Sequence, residues 1–224
     1  MADLAVEVEL RRPDGSGSGE RVSLLPERAM FWPAMATIVV ADLHLGKGET
    51  FRRSGVPVPR GQHDETLSRL DRLVRRTKAH RVLVLGDLLH APAGLTESMI
   101  EDVESWRARQ DVHMELVPGN HDRRGLKRVA DAWRIAVLDE VVHEGMFAWR
   151  HEPKPVPGKL ALGGHVHPTW TLRGGGDALR LPCFAIGRAA GVLPAFCTFT
   201  AGPAPSFAEQ RVWVVAEGRV VQVE

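Results

Sequence analysis

Thr37-Ile38-Val39-Val40-Ala41-Asp42-Leu43-His44 is a β-branched, apolar run that ends at a carboxylate and an imidazole two residues apart. A short run of this kind, apolar at every position, reads as a strand buried on both faces. The construction recurs four times downstream. Val82-Leu83-Val84-Leu85 leads into Gly86-Asp87, and Met114-Glu115-Leu116-Val117 leads into Gly119-Asn120-His121-Asp122. Met146-Phe147-Ala148-Trp149 precedes His151, and Leu160-Ala161-Leu162 precedes Gly164-His165-Val166-His167. A lone Asp-x-His or His-x-His pair is common, but five strand exits carrying such side chains can converge on one cleft.

Between the first two runs, residues 64–78 place Leu67, Leu70, Leu73 and Val74 at helical spacing, with Arg69, Arg72 and Arg76 on another face that is expected to be solvated. A helix joining two buried strands makes a βαβ unit. A second helix is expected over 96–109, starting at the N-cap residue Thr96, and a third over about 124–133. Toward the N-terminus, Val6-Glu7-Val8-Glu9-Leu10 and Arg21-Val22-Ser23-Leu24-Leu25 flank a Gly/Ser-rich tip at 13–19 and read as a hairpin. Beyond residue 138 the pattern is all β, with short segments at 141–149, 160–162, 169–173, 178–181, 195–200 and 211–223 separated by turns such as Glu217-Gly218. The expected fold class is α/β. Two mixed β-sheets pack face to face, flanked by helices in an α/β/β/α sandwich, and the five motif loops lie along one edge.

With 224 residues, 44% hydrophobic and 25% charged, the chain suits one domain over 1–224. A net charge of +1 excludes a globally basic nucleic-acid binder. Arginine dominates the cations and suits bidentate phosphate contact, so any polyanion site must be local; a base-composition bias accounts for the arginine equally well. No stretch of 18 apolar residues occurs, and residues 1–10 alternate apolar and acidic side chains where a signal peptide would be basic and then apolar. A cytoplasmic location with no membrane association is the expectation. Cys183 and Cys197 lack Cys-x-x-Cys spacing and read as core packing in a reducing compartment.

The five motifs offer two Asp, one Asn and four His with no cysteine, a donor mixture that favours manganese, iron or zinc over calcium. In an extended strand exit, residues two apart point the same way, so Asp42 with His44 and His165 with His167 would each aim a pair of ligands together. Gly86, Gly119, Gly163 and Gly164 would let the backbone turn sharply beside them.

In that order, Asp-x-His, Gly-Asp, Gly-Asn-His-Asp, a lone His and Gly-His-x-His resemble the calcineurin-like metallophosphoesterase superfamily. Further segments are similar to its bacterial branch of ligase-associated and helicase-associated DNA endonucleases: Leu25-Pro26-Glu27-Arg28-Ala29-Met30-Phe31-Trp32-Pro33, Leu43-His44-Leu45-Gly46-Lys47, Gly55-Val56-Pro57-Val58-Pro59 and Leu193-Pro194-Ala195-Phe196. The resemblance implies two divalent metal ions, most often manganese, with iron or zinc as alternatives. One ion would be held by Asp42, His44, Asp87 and His167, the other by Asp87, Asn120, His151 and His165, with Asp87 bridging. It implies a hydroxide nucleophile, in-line attack on phosphorus, and His121 as the group that protonates the leaving oxygen, with Asp122 orienting it.

Several positions keep two readings. His143 lies near enough in sequence to rival His151. His90 would reach the scissile phosphate or bond within its own loop. Arg52 and Arg53 would hold a nucleic-acid backbone while Phe51 stacks a base, or be solvated charge beside a buried ring. Arg123 and Arg124 would bind phosphate or form helix-start ion pairs. Trp32, Trp149 and Trp170 would stack bases or, the stronger reading, pack the core. His63, His80 and His113 suggest nothing beyond surface or core. The expected activity is a metal-dependent phosphodiesterase, a DNA endonuclease acting on single-stranded or unpaired DNA in repair, with a functional link to a ligase or helicase. The rivals are a phosphoesterase of small nucleotides or other small phosphate esters, and a non-catalytic scaffold that binds a partner protein.

Overall fold

Two mixed sheets form the frame of the chain, which the computed structural model describes over residues 4–59 and 61–223; residues 1–3 of the opening segment lie outside the described residues. The first sheet runs in chain order through β1 (Val6–Leu10), β2 (Glu20–Leu25), β3 (Ala29–Trp32), β4 (Thr37–Val40), β5 (Arg81–Leu85), β6 (His113–Val117) and β7 (Ile135–Val137). Pairing is antiparallel from β1 to β4 and parallel from β4 to β7. The second sheet contains β8 (Val141–Glu144), β9 (Phe147–Arg150), β10 (Leu160–Gly163), β11 (Thr169–Gly174), β12 (Asp177–Ile186), β13 (Ala190–Val192), β14 (Arg211–Ala216) and β15 (Arg219–Val223). Its order is β15-β14-β12-β13-β10-β9-β8, with β11 carried on β12. This half is not a plain meander, because β10 lies parallel to both β9 and β13.

Alternation along β4 explains why all four of its residues are buried. Ile38 and Val40 face α2 (Gln62–Thr77) and α3 (Glu97–Ala108), which follow the short α1 (Lys47–Arg53), and pack with Leu67, Leu70, Leu73 and Trp106. Val39, together with Leu83, Leu85 and Val117, faces the second sheet and meets Phe147, Trp149, Leu162, Phe184 and Trp213. A strand covered on both sides needs apolar residues throughout. The helices therefore cover the outer face of the first sheet. The outer face of the second is covered by side chains such as Trp170, Leu181 and Phe207, with no α-helix among the described residues.

The sheets set the site by register. Val40 pairs with Val84, and Leu85 with Val117, so β4, β5 and β6 end side by side. Across the sandwich, Trp149 pairs in parallel with Leu162, so β9 and β10 also end together. Each motif loop leaves from one of these five ends.

Three local expectations are corrected. The third helix is two 3-10 turns, Asp122–Arg124 and Leu126–Arg128, with Gly125 between them. Leu126, Val129 and Trp133 are buried at helix-like spacing, but the glycine costs about 1 kcal/mol in a helix and its place is filled by Leu89 and Leu95, only 3.0 and 2.9 Å from where a Cβ would stand. Residues 195–200 are not a strand; Pro194 lacks a donor and the chain turns sharply beyond Cys197, so the ladder is made upstream at β13. Arg69 is not on a solvated face: it donates to the Phe196 carbonyl and its guanidinium stacks 4.1 Å from the Phe196 ring centroid. The Thr96 cap is as expected, accepting from the Met99 N–H at 3.3 Å. Trp32 and Trp149 are buried in the core, and Trp170 is half-buried on the outer face of the second sheet.

Candidate metal centre

Two groups of ligand-type side chains stand at the aligned strand ends. Asp42, His44 and His167 offer atoms within 4.8 Å of one another, and so do Asp87, His151 and His165. Asn120 joins the second group through Oδ1, 3.1 Å from His151 Nε2. The groups touch, since the His165 N–H donates to both oxygens of Asp42 (3.1 and 2.9 Å) and the His44 N–H donates to the Asp87 carbonyl (2.9 Å). His165 and His167 thus fall in different groups. His143 is exposed on β8 and belongs to neither.

The expectation that Asp42/His44 and His165/His167 leave on extended backbone is wrong. Asp42, His44, Asp87, His165 and His167 all have positive φ, between 47° and 70°, and make up five of the eleven such non-glycine residues among those described. Left-handed backbone is sterically costly for residues with a Cβ and persists where the surrounding structure enforces it. The glycines also act differently from the expectation. Of Gly86, Gly119, Gly163 and Gly164, only Gly86 has positive φ. Gly119 and Gly164 are required for space: a Cβ would lie 2.2 Å from Asp87 Oδ1 at the first and 2.3 Å from Asp42 Oδ2 at the second.

The donor set fits divalent cations. His44 Nε2 stands 3.0 Å from His167 Nε2, and His151 Nε2 stands 3.0 Å from His165 Nδ1, so imidazole lone pairs converge beside two buried carboxylates. His151 Nδ1 donates to the Leu85 carbonyl at 3.1 Å, which aims Nε2 inward, the second-partner arrangement of metal-binding histidines. Burial pushes the His44 imidazole down to about 2, more than the Asp87 charge can restore, so it is neutral, the form that binds metal. Burial works against the Asp87 charge, but the hydrogen bond and charge of His151 outweigh it and hold the carboxyl below its usual range. His151 is raised for the reciprocal reason, the Asp87 carboxylate overcoming its burial.

His121 stands at the mouth, its side chain 39% exposed and its Nε2 3.9 Å from Asp87 Oδ2. Its Nδ1 donates to the His90 carbonyl at 2.6 Å, and its ring stacks on that of His90 with centroids 5.4 Å apart. Asp122 does not orient it. The buried Asp122 carboxylate accepts from the Leu89 and Gly119 N–H groups, each at 2.9 Å, and so ties the β5 exit to the β6 exit. Burial pushes its pKa up to about 6, so above that pH both oxygens accept as a carboxylate. An amide offers one acceptor for two donors. Asp122→Asn is therefore expected to cost about 1–3 kcal/mol of stability at alkaline pH, measured by urea unfolding; an unchanged midpoint would remove Asp122 from this role.

The proposed substrate residues divide. Arg52 is committed to the fold, with Nη1 on the Val58 (3.3 Å) and Pro59 (2.9 Å) carbonyls and Nη2 on Glu49 (2.5 Å). Arg53 is exposed, Arg124 is exposed, and Arg123 forms an exposed pair with Glu140 at 3.3 Å. His90 is half-buried among the rings of His44, His121 and Phe51, and burial and neighbouring Lys47 push it down to about 4. Sequence reading passed over Lys47, half-buried beside Asp42 and His44, and over Arg28, which donates to the Cys197 carbonyl at 3.1 Å. His63, read from sequence as surface or core alone, links α2 to Asp102 of α3 at 3.0 Å and to Glu49 at 3.6 Å. No sequence periodicity marks these contacts, since the partners lie far apart in the chain.

A family model described as calcineurin-like phosphoesterase matches residues 35–184, which contain every residue of the two groups. The chain matches the crystal structure of Pseudomonas putida nuclease MPE with a TM-score of 0.83 and 35% sequence identity, over 98% of this chain and 100% of that one. More distant likenesses are to the Aquifex aeolicus protein of unknown function AQ665 (17% identity, TM-score 0.42, 62% of this chain and 81% of that one) and to the E. coli phosphoesterase Yfce (12%, 0.40, 84% and 97%). No curated protein matches.

Proposed function

We propose that this chain, which belongs to the calcineurin-like phosphoesterase family, is a phosphodiesterase that cuts DNA in single-stranded or unpaired regions and uses two divalent ions, manganese being the first choice. The observation that carries the reading is the contact between two ligand groups, one containing Asp42 and the other Asp87, in a chain 35% identical to a nuclease over nearly its whole length. Asp42, His44 and His167 would hold one ion, Asn120, His151 and His165 the other, with Asp87 between them. Two such ions lower the pKa of a water, clamp the phosphate and stabilise the attacking and leaving oxygens.

The remaining work falls to protein groups. His121, with its Nδ1–H fixed on the His90 carbonyl, keeps Nε2 free to carry a proton to the leaving alkoxide, a role worth about a hundred- to ten-thousandfold. Exposure of Asn120 and His165, and of His121 in part, leaves the ligand set open at its rim, which suits a polymer better than an enclosed small ester. Arg53 and Arg124, both exposed, would meet a phosphate backbone; Arg123, paired with Glu140, would have to exchange that partner. Participation in repair, a cytoplasmic location and a link to a ligase or helicase belong to the same proposal. Among the described residues no helix is long and apolar enough to cross a membrane.

The test compares substrates and metal states. The manganese-loaded protein should hydrolyse bis-p-nitrophenyl phosphate and nick a single-stranded circle, and chelation should abolish both, with manganese restoring them. Ester hydrolysis without nicking would leave a small-molecule phosphoesterase, and activity that survives exhaustive chelation would end the two-ion reading.

A further inference from the structure

The segment after β13 crosses from the second sheet to the first and ends at the metal residues. Leu193 donates to the Gly163 carbonyl at 2.8 Å, Phe196 to Ala41 at 2.7 Å, and Cys197 to Asp42 at 3.1 Å. Arg28 and Arg69 clamp its carbonyls at Cys197 and Phe196. The turn that follows is locked as well: the Phe199 N–H donates to the Cys197 sulfur and the Thr200 hydroxyl to the Cys197 carbonyl at 3.3 Å. On this fixed turn Phe199 is 45% exposed. It lines a crevice with His44, Lys47 and Cys197.

Lys47 forms the other wall. Among the described residues it makes no ion pair within 4 Å, and its nearest ring contact is Phe51, 5.7 Å from the ammonium to the centroid. Phe51 is half-buried, between Lys47 and the edge of the His90 ring. Phe199 therefore has the freer aromatic face beside the ligand groups, and Lys47, which feels the Asp42 carboxylate, pairs with no carboxylate within 4 Å among the described residues.

We infer that Phe199 and Lys47 form a nucleotide subsite beside the metal residues, Phe199 stacking a base and Lys47 holding the phosphate adjoining the cleaved one. The inference rests on the reading of this site as a DNA-cutting one. Stacking suits a ring on a turn already ordered by the fold, because little freedom is lost on binding. It also tolerates any base, as every base has a π-face.

The test scans a single abasic residue along a single-stranded oligonucleotide. For the wild-type protein, one position should raise KM about tenfold, the usual scale of one aromatic–base stack. In Phe199→Ala, kcat/KM on the intact oligonucleotide relative to bis-p-nitrophenyl phosphate should fall about tenfold, the position-specific effect should vanish, and Phe199→Trp should restore both. Lys47→Gln should flatten the slope of log KM against log salt by about 0.7, as for one lost contact to a single strand. An unchanged abasic profile in Phe199→Ala, or equal losses on both substrates, overturns the stacking role; an unchanged salt slope in Lys47→Gln overturns the phosphate contact. A wild-type protein that hydrolyses the ester but neither binds nor cuts the oligonucleotide would instead end the DNA reading, and this subsite with it.

Discussion

Asp87→Ala is expected to reduce kcat/KM on bis-p-nitrophenyl phosphate by on the order of a thousandfold or more, at the upper end of what removing one preorganised electrostatic group costs. Its carboxylate is buried, sits 3.4 Å from His151 Nε2, accepts the His121 N–H at 3.0 Å, and its backbone carbonyl receives the His44 N–H at 2.9 Å. Deleting it removes a ligand-type side chain from the second group and one of the two buried carboxylates, leaving Asp42 alone to compensate a cation. Metal content by elemental analysis should fall together with turnover, while the circular dichroism of the fold is retained. A variant that keeps a tenth of wild-type activity would show that Asp87 is not the shared group.

Gly119→Ala should be nearly as damaging although it removes no polar atom. The added methyl would lie 2.2 Å from Asp87 Oδ1 and 2.4 Å from the Asp87 backbone nitrogen, and the backbone atom cannot rotate away. Gly164→Ala makes the matching collision with Asp42, whose Oδ2 would be 2.3 Å away and the Ala41 Cβ 2.5 Å. A displacement of about 1 Å in a positioned group costs roughly a hundredfold in rate, and overpacking costs about 1–3 kcal/mol in stability. Both glycine variants should therefore fold, melt earlier and turn over about a hundredfold more slowly, a scale set by the misplacement. Wild-type kinetics in Gly119→Ala would mean that the β6 loop yields freely.

These two predictions mark where sequence was informative and where it was not. Apolar periodicity is a local property, so the buried runs of β4, β5, β6, β9 and β10 were legible, and with them the places where ligands leave the sheets. Helix α2 was legible for the same reason. The third helix was misread because Leu126, Val129 and Trp133 satisfy a helical spacing that 3-10 turns around Gly125 also satisfy. Arg69 looked solvated because its partner, Phe196, is 127 residues away. The same holds for the site. The seven ligand-type side chains could be named from order and spacing, and the structure brings six of them into two groups with Asn120 beside the second. Their left-handed backbone could not be read, since φ at Asp42 or His165 is imposed by hydrogen bonds across the two sheets. The spacing role of Gly119 and Gly164 was hidden for the same reason: the atom each avoids belongs to a different strand exit.

Positive φ at Asp42, His44, Asp87, His165 and His167 sets the heat resistance of the molecule against its chemistry. Glycine or asparagine would occupy these positions with less strain, so a lineage screened only for survival at high temperature would gain by discarding its histidines there, while the aspartates are kept by the N–H groups they accept. The cleft would then be lost through individually beneficial steps, with the scaffold intact and sturdier for it. At these histidine positions the residue that chemistry asks for and the residue that heat resistance asks for are different.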